Sequence, residues 1–406
     1  MPWAGAVMAG AALATYLAER AGRRDGADHA RMSLAALAAM ALLTLALFIL
    51  LGQAALSVAL GVLVLAAVAM DDRWHLPHLA AFAQAGAAVL VWRITVDPGL
   101  SWALNAASYG QILLAHALPA AALAAAWRLL RPAKRPVTRA ALEGAFAVVA
   151  GAGLSVLIAR GLTDLSQASG GPEHLRLGLI GTVWLLAGWS SARTALSEPP
   201  EQAALPGHRA AGWLRRITAT LSFLSAAGCL AGAALVVNPL LWSGPHILGP
   251  VVVSSLALAY LVPGLVALTI GARLQALARG LRIGFAACGA GLVWLYLQLS
   301  VAQIWRGNDL QAQPMGDGEL WSYTALLLVL GGGLLVAALL RRETWLRYLA
   351  DAVLGVAIVK VFFVDASDLG GLVRAGSFLI LGLALAGLAW INRRAAILTA
   401  KPPHTP

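Results

Sequence analysis

The chain has 406 residues, of which 60% are hydrophobic and only 12% are charged. An ordinary soluble domain carries about 25% charged residues, so this composition excludes a soluble enzyme. A transmembrane helix needs about 20 mostly apolar residues, and the apolar content is sufficient for about a dozen of them. Aromatic residues make up only 7%, which argues against a transmembrane β-barrel with its aromatic girdles. The sequence therefore predicts an all-α, polytopic transmembrane helical bundle.

The net charge of +11 would indicate nucleic-acid binding in a soluble chain. In a membrane protein, Lys and Arg collect in cytoplasmic loops, where they face anionic lipid. We therefore expect membrane lipids, and no nucleic acid, as partners. Other membrane subunits are a further partner class that the sequence leaves open.

Apolar runs separated by charged or turn-forming residues predict thirteen membrane-spanning helices. They lie near residues 3–18, 32–50, 53–70, 76–96, 109–127, 140–159, 175–192, 217–237, 247–268, 283–304, 321–340, 348–364 and 372–391. The second and third either form a tight hairpin at residues 51–53 or are one misdivided region. We expect one transmembrane domain over 1–406, divisible into sub-bundles 1–135 and 136–394, with a short cytoplasmic tail at 395–406.

The basic residues predict the orientation of the chain, because cytoplasmic loops carry the excess of Lys and Arg. With thirteen spans, 23 of the 29 Lys and Arg fall on one side, five fall on the other, and Lys360 lies within a span. The five on the poorer side are Arg93, Arg160, Arg176, Arg306 and Arg374. We therefore expect an external N-terminus and a cytoplasmic C-terminus.

Motifs of common catalytic and nucleotide sites are missing from the sequence. It contains no GxxxxGK[ST] phosphate loop, no HExxH pair, no GxSxG elbow and no paired-cysteine spacing. We therefore expect no cofactor and no metal. The sequence favours a non-enzymatic role without excluding an enzyme embedded in the membrane.

Two predicted spans contain a proline beside a polar side chain. His116 precedes Pro119 in the fifth span, and Tyr260 precedes Pro263 in the ninth. A proline inside a helix leaves a backbone carbonyl without its donor, which the polar neighbour, or Gln111 in the fifth span, could supply. We expect a structural kink at both prolines. For His116 a proton-relay or ligand role is the alternative.

The densest ionisable cluster lies at the predicted hairpin between the last two spans. It comprises Lys360, Asp365, Asp368 and Arg374. Lys360 lies about 7.5 Å from Asp365 along a helix axis, within reach of its long stem. Two cations and two carboxylates would neutralise each other, as a membrane requires. The cluster is therefore either a clasp of salt bridges or an outward-facing polar site for a substrate head group or an ion.

Glycines at helical spacing indicate where two helices approach each other closely. The spacing GxxxG occurs at Gly228/Gly232 and at Gly280/Gly284, and three consecutive glycines occupy 331–333. We expect close helix contacts at all three places.

Several short motifs in the C-terminal half occur together in one order. They are Asn238-Pro239-Leu240, Leu258 to Pro263, Trp305-Arg306-Gly307, Glu319 with Tyr323, Lys360-Val361-Phe362, Asp365, Ser367, Asp368-Leu369, Gly371-Leu372, Arg374, Ser377-Phe378 and Gly382. Over about 212–394 the sequence thereby resembles a family of large bacterial multi-pass membrane proteins, the domain of unknown function 2339. Gln303 and Trp321 depart from its pattern. The family lacks an assigned activity, so the resemblance implies a helical fold in the bacterial inner membrane and supplies no function.

Three classes of function fit these features. The first is a protein of the bacterial inner membrane that transports or presents a small molecule or lipid for the cell envelope, with Lys360, Asp365, Asp368 and Arg374 lining its polar site. The second is a membrane-embedded enzyme on a lipid-linked substrate, with Asp365 or Asp368 as base, although the external loops are short. The third is a structural subunit of a larger membrane complex.

The predicted topology can be tested with single cysteines introduced at Gly316 and at Lys134, after Cys229 and Cys288 are replaced by Ala. The bias of basic residues places Gly316 outside and Lys134 in the cytoplasm. A membrane-impermeant maleimide should therefore label Gly316→Cys in intact spheroplasts and Lys134→Cys only after lysis. Labelling of both positions from the same side would contradict the topology.

Overall fold

The structure is a computed structural model, and it contains no strand in the residues that it describes. These are residues 2–24, 29–130, 135–166, 172–241 and 247–361, with single positions between 379 and 393. The helices are α1 (Pro2–Arg24), α2 (Ala30–Leu50), α3 (Gln53–Trp74), α4 (Pro77–Thr95), α5 (Gly99–Asn105), α6 (Tyr109–Leu129), α7 (Pro136–Ser166), α8 (Glu173–Leu196), α9 (Pro200–Ala203), α10 (Pro206–Ala231), α11 (Val262–Arg273), α12 (Arg279–Arg306), α13 (Asp317–Arg341) and α14 (Thr344–Lys360). A π-helical turn, Gly232–Val236, continues α10, and a second, Ala257–Leu261, precedes α11.

Within the described residues, seven helices are long and apolar enough to cross a membrane: α2, α3, α6, α7, α10 with its π turn, α12 and α13. The helices α4 and α5 bend by 49° at the break between them and would together make an eighth span. Twelve of the thirteen predicted segments coincide wholly or partly with a helix, because long apolar runs are the strongest signal in a sequence. The thirteenth, 372–391, lies outside the described residues except for single positions. The count of thirteen spans and the orientation of the termini stay predictions.

The second and third predicted segments are two separate helices, joined only by Leu51 and Gly52. From there α3 packs against α4 and α6, and α7 packs against α4 and α6. The interior of this four-helix group consists of fully buried aliphatic side chains, among them Leu60, Leu90 and Leu123. Burial of such side chains contributes about 1.5–3 kcal/mol each relative to exposure in water, although in a bilayer close packing replaces much of that driving force.

Polar contacts fix the register of α7 against its neighbours. The guanidinium of Arg135, directly before α7, donates from Nε to Asp71 Oδ2 and from Nη2 to Asp71 Oδ1, both at 3.0 Å. Gln84 Nε2 on α4 donates to Thr138 Oγ1 on α7 at 2.9 Å. Asp71 is only 5% exposed, and the bidentate pair compensates its buried charge.

The prediction of a span over 247–268 is wrong in its first half, which is not helical. Residues Leu248 to Ser255 form a closed loop instead: Ser255 N donates to Leu248 O at 2.7 Å, and Leu248 N donates to Ser255 Oγ at 3.1 Å. Gly249 has a φ of 91°, a left-handed conformation that interrupts a helix. Pro250 lacks the N–H that a helix would need. Because the loop is apolar, its sequence resembles that of a membrane span.

The glycine pairs chosen from sequence spacing are only partly at helix contacts. A Cβ at Gly228, Gly280 or Gly284 would meet no atom within 4 Å outside its own helix backbone, so the prediction is wrong at these three. A Cβ at Gly232 would lie 3.1 Å from Leu177 Cδ1. Spacing alone does not reveal which face of a helix meets a neighbour, and this explains the failures.

The tightest backbone approaches occur at glycines outside those pairs. A Cβ at Gly178 on α8 would overlap the backbone of Ala259. A Cβ at Gly264 on α11 would lie 3.0 Å from Gly289 O on α12. Only glycine permits helices to pack at these separations. These two contacts bring α8 and α12 directly against the segment Ala257–Arg273.

The contacts divide the chain into two compact units, Met1–Tyr296 and Leu297–Pro406. The predicted division between 135 and 136 lies inside the first unit, where α6 and α7 pack against each other. The second unit contains the end of α12 with α13 and α14, and it also contains most of the residues that are not described.

Gly178→Ala should lower the thermal midpoint of the detergent-solubilised chain, because the new methyl group would push α8 away from Ala259. Overpacking of this kind costs about 1–3 kcal/mol. The matched control is Gly228→Ala on α10, where the methyl group meets open space and a better helix former should leave stability unchanged or raise it slightly. Equal melting of Gly178→Ala and the unaltered chain would contradict the close contact.

Candidate functional site

His116 lies against protein in α6, the helix that covers the fifth predicted span. The helix α6 runs without a break through Pro119, and His116 is buried, with its Cβ 2.7 Å from the position that a Cβ on Gly153 would take. The Nδ1 atom of His116 lies 3.0 Å from Ile112 O. Within the described residues, its Nε2 atom has no hydrogen-bond partner.

Gln111 does not donate to the carbonyl that Pro119 leaves unpaired, which is contrary to the interpretation from the sequence. It belongs to a capping box at the start of α6, in which Gln111 N donates to Ser108 Oγ at 3.3 Å and Ser108 N donates to Gln111 Oε1 at 2.9 Å. The box satisfies two backbone N–H groups that have no partner inside the helix. The amide is therefore committed two turns away from Pro119.

The ninth predicted span accommodates Pro263 through a π turn. Pro263 lies one residue after the π turn Ala257–Leu261, and Val262 N donates to Ala257 O across this turn. Tyr260 lies in this turn, is fully buried, and donates from its hydroxyl to Ala233 O at 2.7 Å. Ala233 itself lies in the other π turn. Because widened turns leave carbonyls poorly paired, the phenol of Tyr260 supplies a donor and links both turns.

A buried histidine closes the loop that replaces the first half of this span. His174, at the start of α8, is fully buried, and its Nε2 atom lies 2.9 Å from Ser255 Oγ. Among the described residues, His174 Nδ1 and Ser254 Oγ are buried without a hydrogen-bond partner. The sequence analysis did not single out His174 and missed this contact. The available signal was the pair Ser254-Ser255 within an apolar run.

In the second unit, a carboxylate buried between helices carries the main ionic contact. Glu319 on α13 is 1% exposed and accepts two bonds from Arg306, from Nε at 2.7 Å and from Nη2 at 2.9 Å. The Tyr323 hydroxyl donates to the same carboxylate at 2.8 Å, and Arg306 Nη1 donates to Leu310 O at 3.0 Å. Bidentate pairing together with a third donor is the arrangement that a buried carboxylate needs.

Lys360 meets α13 immediately beside this ion pair. Its Nζ atom donates to Leu320 O at 2.9 Å and to Thr324 Oγ1 at 2.6 Å. Leu320 follows Glu319 in the sequence, and Thr324 follows Tyr323. Arg306 and Lys360 therefore both bind the same turn of α13. We call Arg306, Glu319, Tyr323, Thr324 and Lys360 the α13 polar cluster.

The structure thus gives one member of the predicted cluster new neighbours. Asp365, Asp368 and Arg374 lie outside the described residues. From the sequence, Glu319 and Tyr323 contributed only to the family resemblance, and Arg306 contributed to that resemblance and to the count of basic residues. Their contact could have been suspected from the four-residue spacing of Glu319 and Tyr323, which places two polar groups on one face of an apolar helix. Within the described part of the chain, no three His, Cys, Asp or Glu side chains could hold a metal ion.

Apolar helices of membrane-crossing length, with ionic side chains paired between them, define a multi-span helical membrane protein. The chain belongs to the family described as "Predicted membrane protein (DUF2339)", which matches residues 1–395. The family relationship therefore extends well beyond the C-terminal half in which the motifs were found. No curated protein and no solved structure matches the chain.

Glu319→Gln should destabilise the detergent-solubilised chain, because Arg306 would keep its charge and lose its carboxylate. Breaking a buried pair typically costs about 3–5 kcal/mol, whereas replacing both partners by apolar groups can be nearly neutral. Arg306→Met combined with Glu319→Leu should therefore melt closer to the unaltered chain than Glu319→Gln does. A control is Glu19→Gln, which breaks the exposed Arg23–Glu19 pair and should cost less than about 1 kcal/mol. Strict additivity of the two apolar substitutions would show that the residues do not interact.

Proposed function

We propose that this membrane protein lies in the bacterial inner membrane and binds a small molecule or a lipid head group, for transport or presentation in the cell envelope. The binding site that we propose is the α13 polar cluster, completed by Asp365, Asp368 and Arg374. One observation carries the proposal: two cationic side chains converge on a single turn of α13, where Glu319 is almost completely buried.

The energetic cost of this arrangement supports a functional reading. Charged side chains between membrane helices are expensive and commonly mark substrate or ion pathways. Well-packed apolar residues of similar volume would often be equally or more stable than a buried ion pair. Stability alone therefore gives no reason to place Arg306, Glu319 and Lys360 so close together.

The chemistry of the cluster favours a ligand with an anionic or strongly accepting group. Arg306 Nε and Nη2 are committed to Glu319, and Arg306 Nη1 to a backbone carbonyl. The ammonium of Lys360 bonds a carbonyl and a hydroxyl oxygen, both of which a stronger anionic acceptor could displace. Arg374 would supply a second cation for such a group. The carboxylates of Asp365 and Asp368 would then bind donors on the same ligand.

The test is Lys360→Met, with Lys401→Met in the predicted cytoplasmic tail as the control. The chain is purified from native membranes, its thermal midpoint is measured, and the molecules that co-purify are identified by mass spectrometry. Lys360→Met should lower the thermal midpoint, because it reduces the free energy of unfolding by up to about 3 kcal/mol. The Lys360→Met chain should also lose a small molecule or lipid that the control chain retains.

A second variant separates binding from a purely structural clasp. Lys360→Met combined with Asp365→Leu removes one charge of each sign, so it should recover part of the lost stability. The proposal requires that the bound molecule stays lost in this stabilised variant. Recovery of both stability and the bound molecule would instead assign the residues a structural role and overturn the proposal.

A further inference from the structure

An apolar groove runs along the first unit between α10 and α12, and α8 and α11 also contribute to its walls. Its volume is about 1110 Å³, which is above the upper end of the range of about 300–1,000 Å³ usual for pockets that bind small molecules. Nearly all lining residues are Ala, Leu, Gly or Phe. A groove of this size and composition suits a long hydrocarbon chain better than a compact polar ligand.

The groove extends over most of the thickness of a membrane. On α10 and its π turn the lining residues repeat with helical spacing from Arg216 to Leu235, which corresponds to about 28 Å along the axis. On α12 they extend from Leu281 to Leu295, or about 21 Å. The hydrocarbon core of a bilayer is about 30 Å thick. Because α10 and α12 are candidate membrane spans, we expect the groove to run parallel to the lipid chains around the protein.

The polar end of the groove is formed by Arg216. This side chain is exposed, and its guanidinium carbon lies 5.8 Å from the centroid of the Trp213 ring, which is itself 63% exposed. Among the described residues, no carboxylate forms a salt bridge with Arg216, whereas the adjacent Arg215 pairs with both Glu143 and Glu198. Exposed Trp and Arg together are typical of the level of the lipid head groups.

We propose that the groove is a binding site for an anionic phospholipid, with an acyl chain lying along the stripe of α10 and the phosphate in contact with Arg216. The charge of Arg216 selects the anionic head group. The biased distribution of Lys and Arg predicts that this end faces the cytoplasmic leaflet, whose surface is negative. Gly284 and Gly291 leave the α12 wall open, because a Cβ at either would meet no atom within 4 Å.

The head-group contact is tested by native mass spectrometry of the full chain titrated with phosphatidylglycerol and with phosphatidylcholine of identical acyl chains. Phosphatidylglycerol should bind more tightly to the unaltered chain. Arg216→Gln should weaken its binding about fivefold, the effect of one basic side chain near an anionic surface. It should weaken phosphatidylcholine binding clearly less, because the choline cation offsets the charge of that lipid's phosphate. Arg209→Gln is the matched control, because Arg209 is exposed on the same helix and does not line the groove.

The position of the acyl chain is tested by filling the groove. Gly284→Phe combined with Gly291→Phe should reduce phosphatidylglycerol binding at least tenfold, whereas Gly280→Phe, outside the groove on the same helix, should not. Replacing glycine within a helix favours the helix, and a thermal melt checks that the variant is folded. Equal affinity of the two lipids for the unaltered chain, or full binding by the filled variant, would overturn the proposal. The proposal would also be overturned if the unaltered chain bound no lipid and the filled variant were destabilised. The groove would then be occupied by another part of the protein and not by a lipid.

Discussion

The core of a bilayer offers no water, so a charged side chain placed among membrane helices needs a partner from the protein itself. This constraint governs the polar contacts of the chain. Glu319 is held by the guanidinium of Arg306 and the hydroxyl of Tyr323. Asp71 is held by Arg135. The Arg306–Glu319 pair links α12 to α13, and the Arg135–Asp71 pair links the start of α7 to the end of α3.

The same constraint explains the contacts of the few basic residues that lie on the predicted external side. Arg93 and Arg160 donate to backbone carbonyls near the ends of neighbouring helices. Arg176 and Arg306 each pair with a glutamate. Cations on this side are therefore used inside the protein.

The sequence was sufficient for the positions of most helices, since long apolar runs admit few other readings. It failed where composition and conformation disagree: the apolar loop closed by Leu248 and Ser255 reads as a span, because no single residue in it is incompatible with a membrane. It also failed for contacts between distant positions. The sequence predicted contacts of Lys360 with residues that are near it along the chain, whereas its hydrogen bond to Thr324 links α14 to α13. No single sequence contains the rotation of each helix that decides such contacts.

Arg215 and Arg216 illustrate why counting charges predicts sidedness but not role. Consecutive residues on an α-helix point about 100° apart. This rotation places Arg215, only 9% exposed, between Glu143 and Glu198, while Arg216 faces outward beside Trp213. One cation binds helices together, and the other is exposed, where we propose that it meets a lipid head group. Both contribute equally to the bias that predicts the topology. The difference between the buried, paired arginine and the exposed one lies in helix rotation and in the carboxylates that this rotation brings within reach.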